Sequence, residues 1–182
     1  MRPLISVARR PTPDSRLVAA AEIVRGHLGP RLLSISYQAG DILCLEVDRS
    51  DLLATATFLR DAPELRFDFL SCVSGVDMVS HMLVVYHLHS LSNRLTAQLK
   101  VKADAREPVV DSVSAIWPTA NWHEREAFDM LGIQFNGHPN LERLLLVEGF
   151  VGYPLRRNYQ LPRRRWPHGR TVEEGGPVDE RS

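Results

Sequence analysis

The chain has 182 residues, 44% of them hydrophobic and 24% charged, the composition of a globular domain long enough to bury a substantial core. Lys plus Arg and Asp plus Glu both total 22, so the formal net charge is zero and nothing global points to nucleic acid or anionic lipid. Two cysteines, Cys44 and Cys72, each inside an apolar run, favour burial as small hydrophobes over a disulfide framework and fit a reducing compartment, and no apolar run approaches the ~20 residues of a membrane span.

Residues 1–13 carry arginine and proline breaks without periodicity and none of the apolar stretch of a secretory signal, so they read as a flexible arm. A folded domain is expected over 14–160. Asp14 or Ser15 caps a first helix, in which Leu17, Ala20, Ala21, Val24 and Leu28 fall at helical spacing before Gly29 and Pro30 stop it. Leu33, Ile35 and Tyr37 then alternate with serines, Ala39, Gly40 and Asp41 turn, and Leu43, Leu45 and Val47 alternate again, predicting a hairpin with one buried face. Ser50 is placed to cap a second helix that turns Leu52, Leu53, Ala56 and Leu59 inward and ends before Pro63.

Three more strands follow. The first runs from about Leu65 to Val76; the second has Met82, Val84, Tyr86 and Leu88 on one face; the third sets Leu95, Ala97, Leu99 and Val101 against Thr96, Gln98, Lys100 and Lys102, wetting one side. The order helix, strand, strand, helix, three strands has too few crossovers for a doubly wound parallel sheet. The predicted class is therefore α+β, an antiparallel or mixed sheet covered by helices. Beyond Val101 the pattern turns to helical segments, and 161–182 reads as an extended C-terminal tail that orders only against a partner.

The chemistry is sparse. There is no GxSxG elbow, no phosphate loop, no GxGxxG turn, no HExxH pair and no CxxC, and an iron–sulfur centre needs about four thiolates. His81, His87 and His89 share one strand face, but no cysteine or carboxylate has the spacing to complete a metal site. In NWHEREAFDMLGIQFNGHPNLERLL, Asn121 is placed as N-cap with Glu124 three residues on. Glu124 and Glu126 bring charge to the positive helix end, and Gly132 is the stop. Arg125 and Asp129 are i, i+4 neighbours, and His138 with Pro139 is expected to open a further short helix. Glu126 and Asp129, three apart on one helix face, are a second candidate, for acid–base work or metal, which Arg125 would neutralise, so a salt-bridge network is the favoured reading. The basic run of Arg163, Arg164, Arg165, Trp166, His168 and Arg170 is short and acidic residues follow it, which fits docking on a protein better than on nucleic acid.

Three ordered pieces, EREAFDMLGI, GHPNLERLL and GYPLRRNY, preceded by GVDM and VVYHL, resemble the signature of the 30-kilodalton subunit of respiratory complex I over roughly Ser15 to Pro162. The resemblance implies a peripheral subunit on the cytoplasmic side of the cell membrane with no cofactor and no catalytic residue of its own. It would sit in a hetero-oligomeric NADH:quinone oxidoreductase whose FMN and iron–sulfur clusters lie in partner subunits. Its expected partners are the quinone-pocket subunit related to the hydrogenase large subunit and a neighbouring iron–sulfur subunit. Matched to the motif, the expected partner-binding residues are Glu124, Arg125, Glu126, Asp129, His138, Arg143, Arg156 and Arg157, with Gly132, Pro139 and Pro154 also in the pattern. Asn140 and Asn158 stand where the family usually has aspartate and Tyr153 where it often has histidine. The same motifs occur in energy-converting membrane-bound hydrogenases and other donor-linked quinone-reducing complexes, the alternative assignment.

Overall fold

Asp14 starts the first helix: its carboxylate accepts the Arg16 amide at 3.0 Å and so satisfies one of the free donors of α1 (Ser15–Leu28). This computed structural model describes residues 13–38 and 41–160, so the expected tail, almost all of the expected arm, and Ala39 and Gly40 lie outside the described residues. The five apolar positions read from the spacing, Leu17 to Leu28, are the buried stripe of α1.

Strands β1 (Leu32–Gln38) and β2 (Ile42–Val47) pair antiparallel with Ile35 opposite Leu45 and Tyr37 opposite Leu43. Only half of the expected burial is present. Leu43, Leu45 and Val47 are inaccessible, whereas Leu33 is 58% and Tyr37 37% exposed. The cause is position: β1 is the outermost strand of the order β1-β2-β5-β4-β3, so it has a neighbour on one side alone.

A 3-10 turn over Arg49–Asp51 leads into α2 (Leu52–Asp61), and the cap belongs to Asp48, whose carboxylate accepts both the Ser50 amide and its hydroxyl. The expected Ser50 cap is displaced because the shorter Asp-to-amide turn takes the serine as a donor. Leu52, Thr55, Ala56 and Leu59 form the buried stripe, and Leu53, next to it by 100° of rotation, is exposed rather than inward.

Strands β3 (Phe69–Asp77), β4 (His81–Ser90) and β5 (Leu95–Asp104) are joined by turns too short for a parallel crossover. β2 meets β5 in parallel, Leu45 opposite Leu99, which makes the five-stranded sheet mixed. Along β5 every odd position from Leu95 to Ala103 is buried and every even one is at least partly open, as the alternation predicts. The class is α+β.

Contact density divides the described chain into two compact units, one reaching to Cys72 and including Val85–Val101, the other made of Val73–Val84 and the chain from Lys102 onward. The second unit has its own small sheet: β6 (Val109–Asp111) pairs in parallel with β7 (Gln134–Asn136), and α3 (Ala120–Leu131) is the crossover between them. Val110, Val113, Trp117, Ala127, Leu131, Ile133 and Phe135 form its core.

Two local expectations for this unit are corrected. α3 starts at Ala120 after Thr119, so Asn121 is inside the helix and Glu124 lies beyond the first turn, too deep to cap it. No helix follows His138; the backbone there is irregular because side chains, His138's own among them, take its amides.

Candidate functional site

Helix α3 is the hub of the second unit, and its charged residues act in different directions. Arg125 Nε donates to the Glu142 carbonyl at 3.1 Å and Nη2 to that of Arg143 at 3.3 Å, while its guanidinium lies 5.1 Å from the Trp122 ring centre. Asp129 is fully buried, and its Oδ2 accepts the consecutive amides of Leu144, Leu145 and Leu146 at 3.0, 2.7 and 2.9 Å. The Arg143 guanidinium is 3.5 Å from the other oxygen. Burial alone would raise the Asp129 pKa, but the three amides and Arg143 outweigh it and hold it below the usual range.

The expected i, i+4 partnership of Arg125 with Asp129 is therefore replaced by a strap: one side chain takes the carbonyls and the other the amides of residues 142–146. Glu126 is exposed and Asp129 wholly buried, with both Asp129 oxygens turned to the strap and Arg143; the acid–base pairing considered from their spacing is not assembled.

Glu124 points inward. Its carboxyl accepts the Val113 amide at 2.8 Å and the Ser112 hydroxyl at 2.5 Å, and Ser112 Oγ is 2.7 Å from Ser114 Oγ. Burial pushes its pKa up from 4.5 to about 7, against the lowering effect of those two donors. The buried His138 ring faces it at 4.0 Å. His138 Nδ1 accepts the Asn140 amide, which leaves Nε2–H to donate to the Asn121 carbonyl, the neutral tautomer.

Glycines let the motifs close on one another. A Cβ on Gly75 would lie 2.5 Å from Leu131 Cδ1, and one on Gly132, already at φ 74°, would lie 2.5 Å from the Tyr153 ring. Arg156 stacks on that ring at 4.9 Å and donates to the Leu131 carbonyl at 2.7 Å, tying the last stretch to the end of α3. Asp77, the acid of GVDM, accepts the Arg157 amide across 80 positions of sequence.

Elsewhere, His87 is held below its ordinary pKa by burial and then by the nearby His89 and Lys100, and among the described residues no three metal-binding side chains gather. No helix among them is long and apolar enough to cross a membrane. The second unit also exposes large apolar side chains: Trp122, Leu145, Val147, Val151 and Leu155 are each at least 60% open. The sequence offers no signal for the last four, because they lie in irregular backbone where apolar residues have no period.

Residues 45–165 match the family described as the 30-kilodalton subunit of respiratory-chain NADH dehydrogenase. The chain belongs to that family. It is 46% identical over 143 residues to the C subunit of NADH-quinone oxidoreductase from Roseiflexus sp. strain RS-1, covering 77% of this chain and 82% of the relative. To the protein of the same name from Methylobacterium radiotolerans it is 44% identical over 151 residues, 81% of this chain and 69% of that one. Among solved structures, the trypsin-resistant fragment of Nqo5 superposes with a TM-score of 0.55 at 25% identity, covering 69% of this chain and 99% of the fragment. A chain of the archaeal membrane-bound sulfane sulfur reductase superposes with a TM-score of 0.67 at 20% identity over 79% of this chain and 86% of that one, which establishes a shared fold. As a 30-kilodalton-type subunit, the protein belongs to a hetero-oligomeric respiratory oxidoreductase.

Proposed function

We propose that this subunit is a non-catalytic scaffold of the peripheral arm of a proton-translocating NADH:quinone oxidoreductase, on the cytoplasmic side of the cell membrane. It packs against the quinone-pocket subunit and a neighbouring iron–sulfur subunit, which with the FMN-bearing partner hold the cofactors. The observation that carries this reading is the strap: α3 uses Arg125 and Asp129 to fix an irregular stretch from which the apolar side chains of Leu145 and Val147 stand exposed. Exposed apolar residues on rigidly held backbone suit a partner protein, not solvent.

In that role the motif residues divide by depth. Glu124, Asp129 and His138 have buried side chains and shape the surface, whereas Arg125, Glu126, Arg143, Arg156 and Arg157 reach it. Affinity purification of the tagged protein from its native membranes in mild detergent tests the reading. Co-purification of the quinone-pocket and iron–sulfur subunits with NADH-driven quinone reduction supports it, and a chain recovered alone refutes it. A donor-linked relative is the second reading, motivated by the fold shared with the sulfane sulfur reductase; a different partner set selects it.

A further inference from the structure

In the second unit, an open cleft of about 250 Å³ is lined by Asp77, Val79, Met82, Arg106, Arg156 and Arg157, with Ala105 and Asn158 completing it. Three stretches that are far apart in sequence supply it, and carboxylates on backbone amides fix all three. Asp77 accepts the amides of Val79 at 2.7 Å and Arg157 at 2.9 Å; Asp104 accepts those of Arg106 at 2.7 Å and Glu107 at 3.0 Å. Val79 is held at φ 69°, a backbone region that a β-branched residue rarely occupies, and it is 67% exposed.

We propose that this cleft receives a carboxylate side chain from an acidic segment of the partner protein, with Arg106 and Arg157 as its forks and Val79 as the apolar contact beside it. The inference rests on the scaffold reading and adds a residue, Arg106, that the family motif does not contain. Three arginines line the cleft against one aspartate, whose carboxylate already has an amide on each oxygen. The Arg106 and Arg157 guanidinium groups make no hydrogen bond among the described residues, so their donor pairs are open to a planar bidentate acceptor. The volume is below the ~300 Å³ at which pockets for whole small molecules begin. A phosphate site typically uses backbone N–H groups, and here Asp77 has taken those of Val79 and Arg157 and Asp104 that of Arg106.

Arg106→Lys and, separately, Arg157→Lys keep the charge and supply an amine that a carbodiimide joins to a touching carboxylate as an amide, with loss of water to the carbodiimide. The tagged full chain bearing either change is purified with its complex, treated, and digested for mass spectrometry, with Arg94→Lys in the turn after β4 as background. The expected result is a cross-linked peptide joining position 106 or 157 to an Asp or Glu of a partner, well above that background. Alongside it, Arg106→Glu lowers the recovered partner about tenfold while the isolated chain melts as the parent does. An intact complex with no such cross-link and full recovery by Arg106→Glu overturns the inference and spares the scaffold reading. Thermal stabilisation of the parent chain by inorganic phosphate that Arg106→Glu abolishes, with no carboxylate cross-link, assigns a phosphate site and overturns it too. A parent chain that brings down no partner overturns both.

Discussion

Glu124→Gln isolates the effect of one buried carboxyl. A group whose pKa rises from 4.5 to about 7 on folding is bound to its proton more tightly in the native state than in the unfolded chain. Its contribution to stability is complete below pH 4.5, declines between 4.5 and about 7, and is gone above that. At about 1.4 kcal/mol for each unit of pH, the decline sums to about 3 kcal/mol, an order-of-magnitude figure. Glutamine stays neutral and fits the same partners: its carbonyl accepts the Val113 amide, and its NH₂ donates to Ser112 Oγ, which turns its own hydroxyl toward Ser114. Urea denaturation at pH 5, 6, 7 and 8, followed by tryptophan fluorescence, provides the assay, Trp117 being buried in the same unit. The parent is expected to lose stability through this window on top of whatever other groups contribute, and Glu124→Gln to lose about 3 kcal/mol less of it. Equal slopes for the two proteins would refute the assignment of a raised pKa to Glu124.

Removing the strap's carboxylate with Asp129→Ala leaves three amides and Arg143 without their acceptor; it is expected to cost about 3–5 kcal/mol and to open residues 142–146 to proteolysis, read by cleavage mapping. Gly132→Ala meets both a left-handed backbone and the Tyr153 ring, so its melting temperature falls, whereas Gly26→Ala, in open space within α1, gains about 0.5–1 kcal/mol of stability. Arg157→Ala is expected to weaken recovery of partner subunits without changing the isolated fold, since its contact with Asp77 is through backbone; Arg156→Ala weakens both, because its side chain holds the Leu131 carbonyl. Equal effects of the two on the melting curve of the isolated chain would contradict that division.

The first five strands and the three helices are legible because each repeats its apolar positions over two or more periods, as Leu17 to Leu28 or Leu95 to Val101 do. β6 and β7 are not: three residues give no period, and they exist because α3 returns the chain beside Val110. Leu53 and the apolar side of β1 depart from expectation for a related reason, since periodicity marks a face but not whether anything covers it. For the site, the motif letters point to α3 and to Arg156 and Arg157, but the roles do not follow from spacing. Arg125 and Asp129 have ideal i, i+4 separation and instead reach partners 15 to 18 positions away. Arg106 gives no signal at all, being one exposed arginine in a turn.

The bond from Asp77 to the Arg157 amide spans 80 positions, and on the ribosome that distance is time. The Asp129 carboxylate, buried in the folded unit, emerges with α3, yet the amides it needs arrive 15 to 17 residues later and the Arg157 amide later still. Until then, closing the unit would bury a charge with no donors to offset its desolvation, so the unit stays open. The stretch carrying Leu144 to Leu146 is thus what lets the Asp129 carboxylate be buried at low cost, and the Arg157 amide, 11 positions beyond Leu146, adds its bond to Asp77 last.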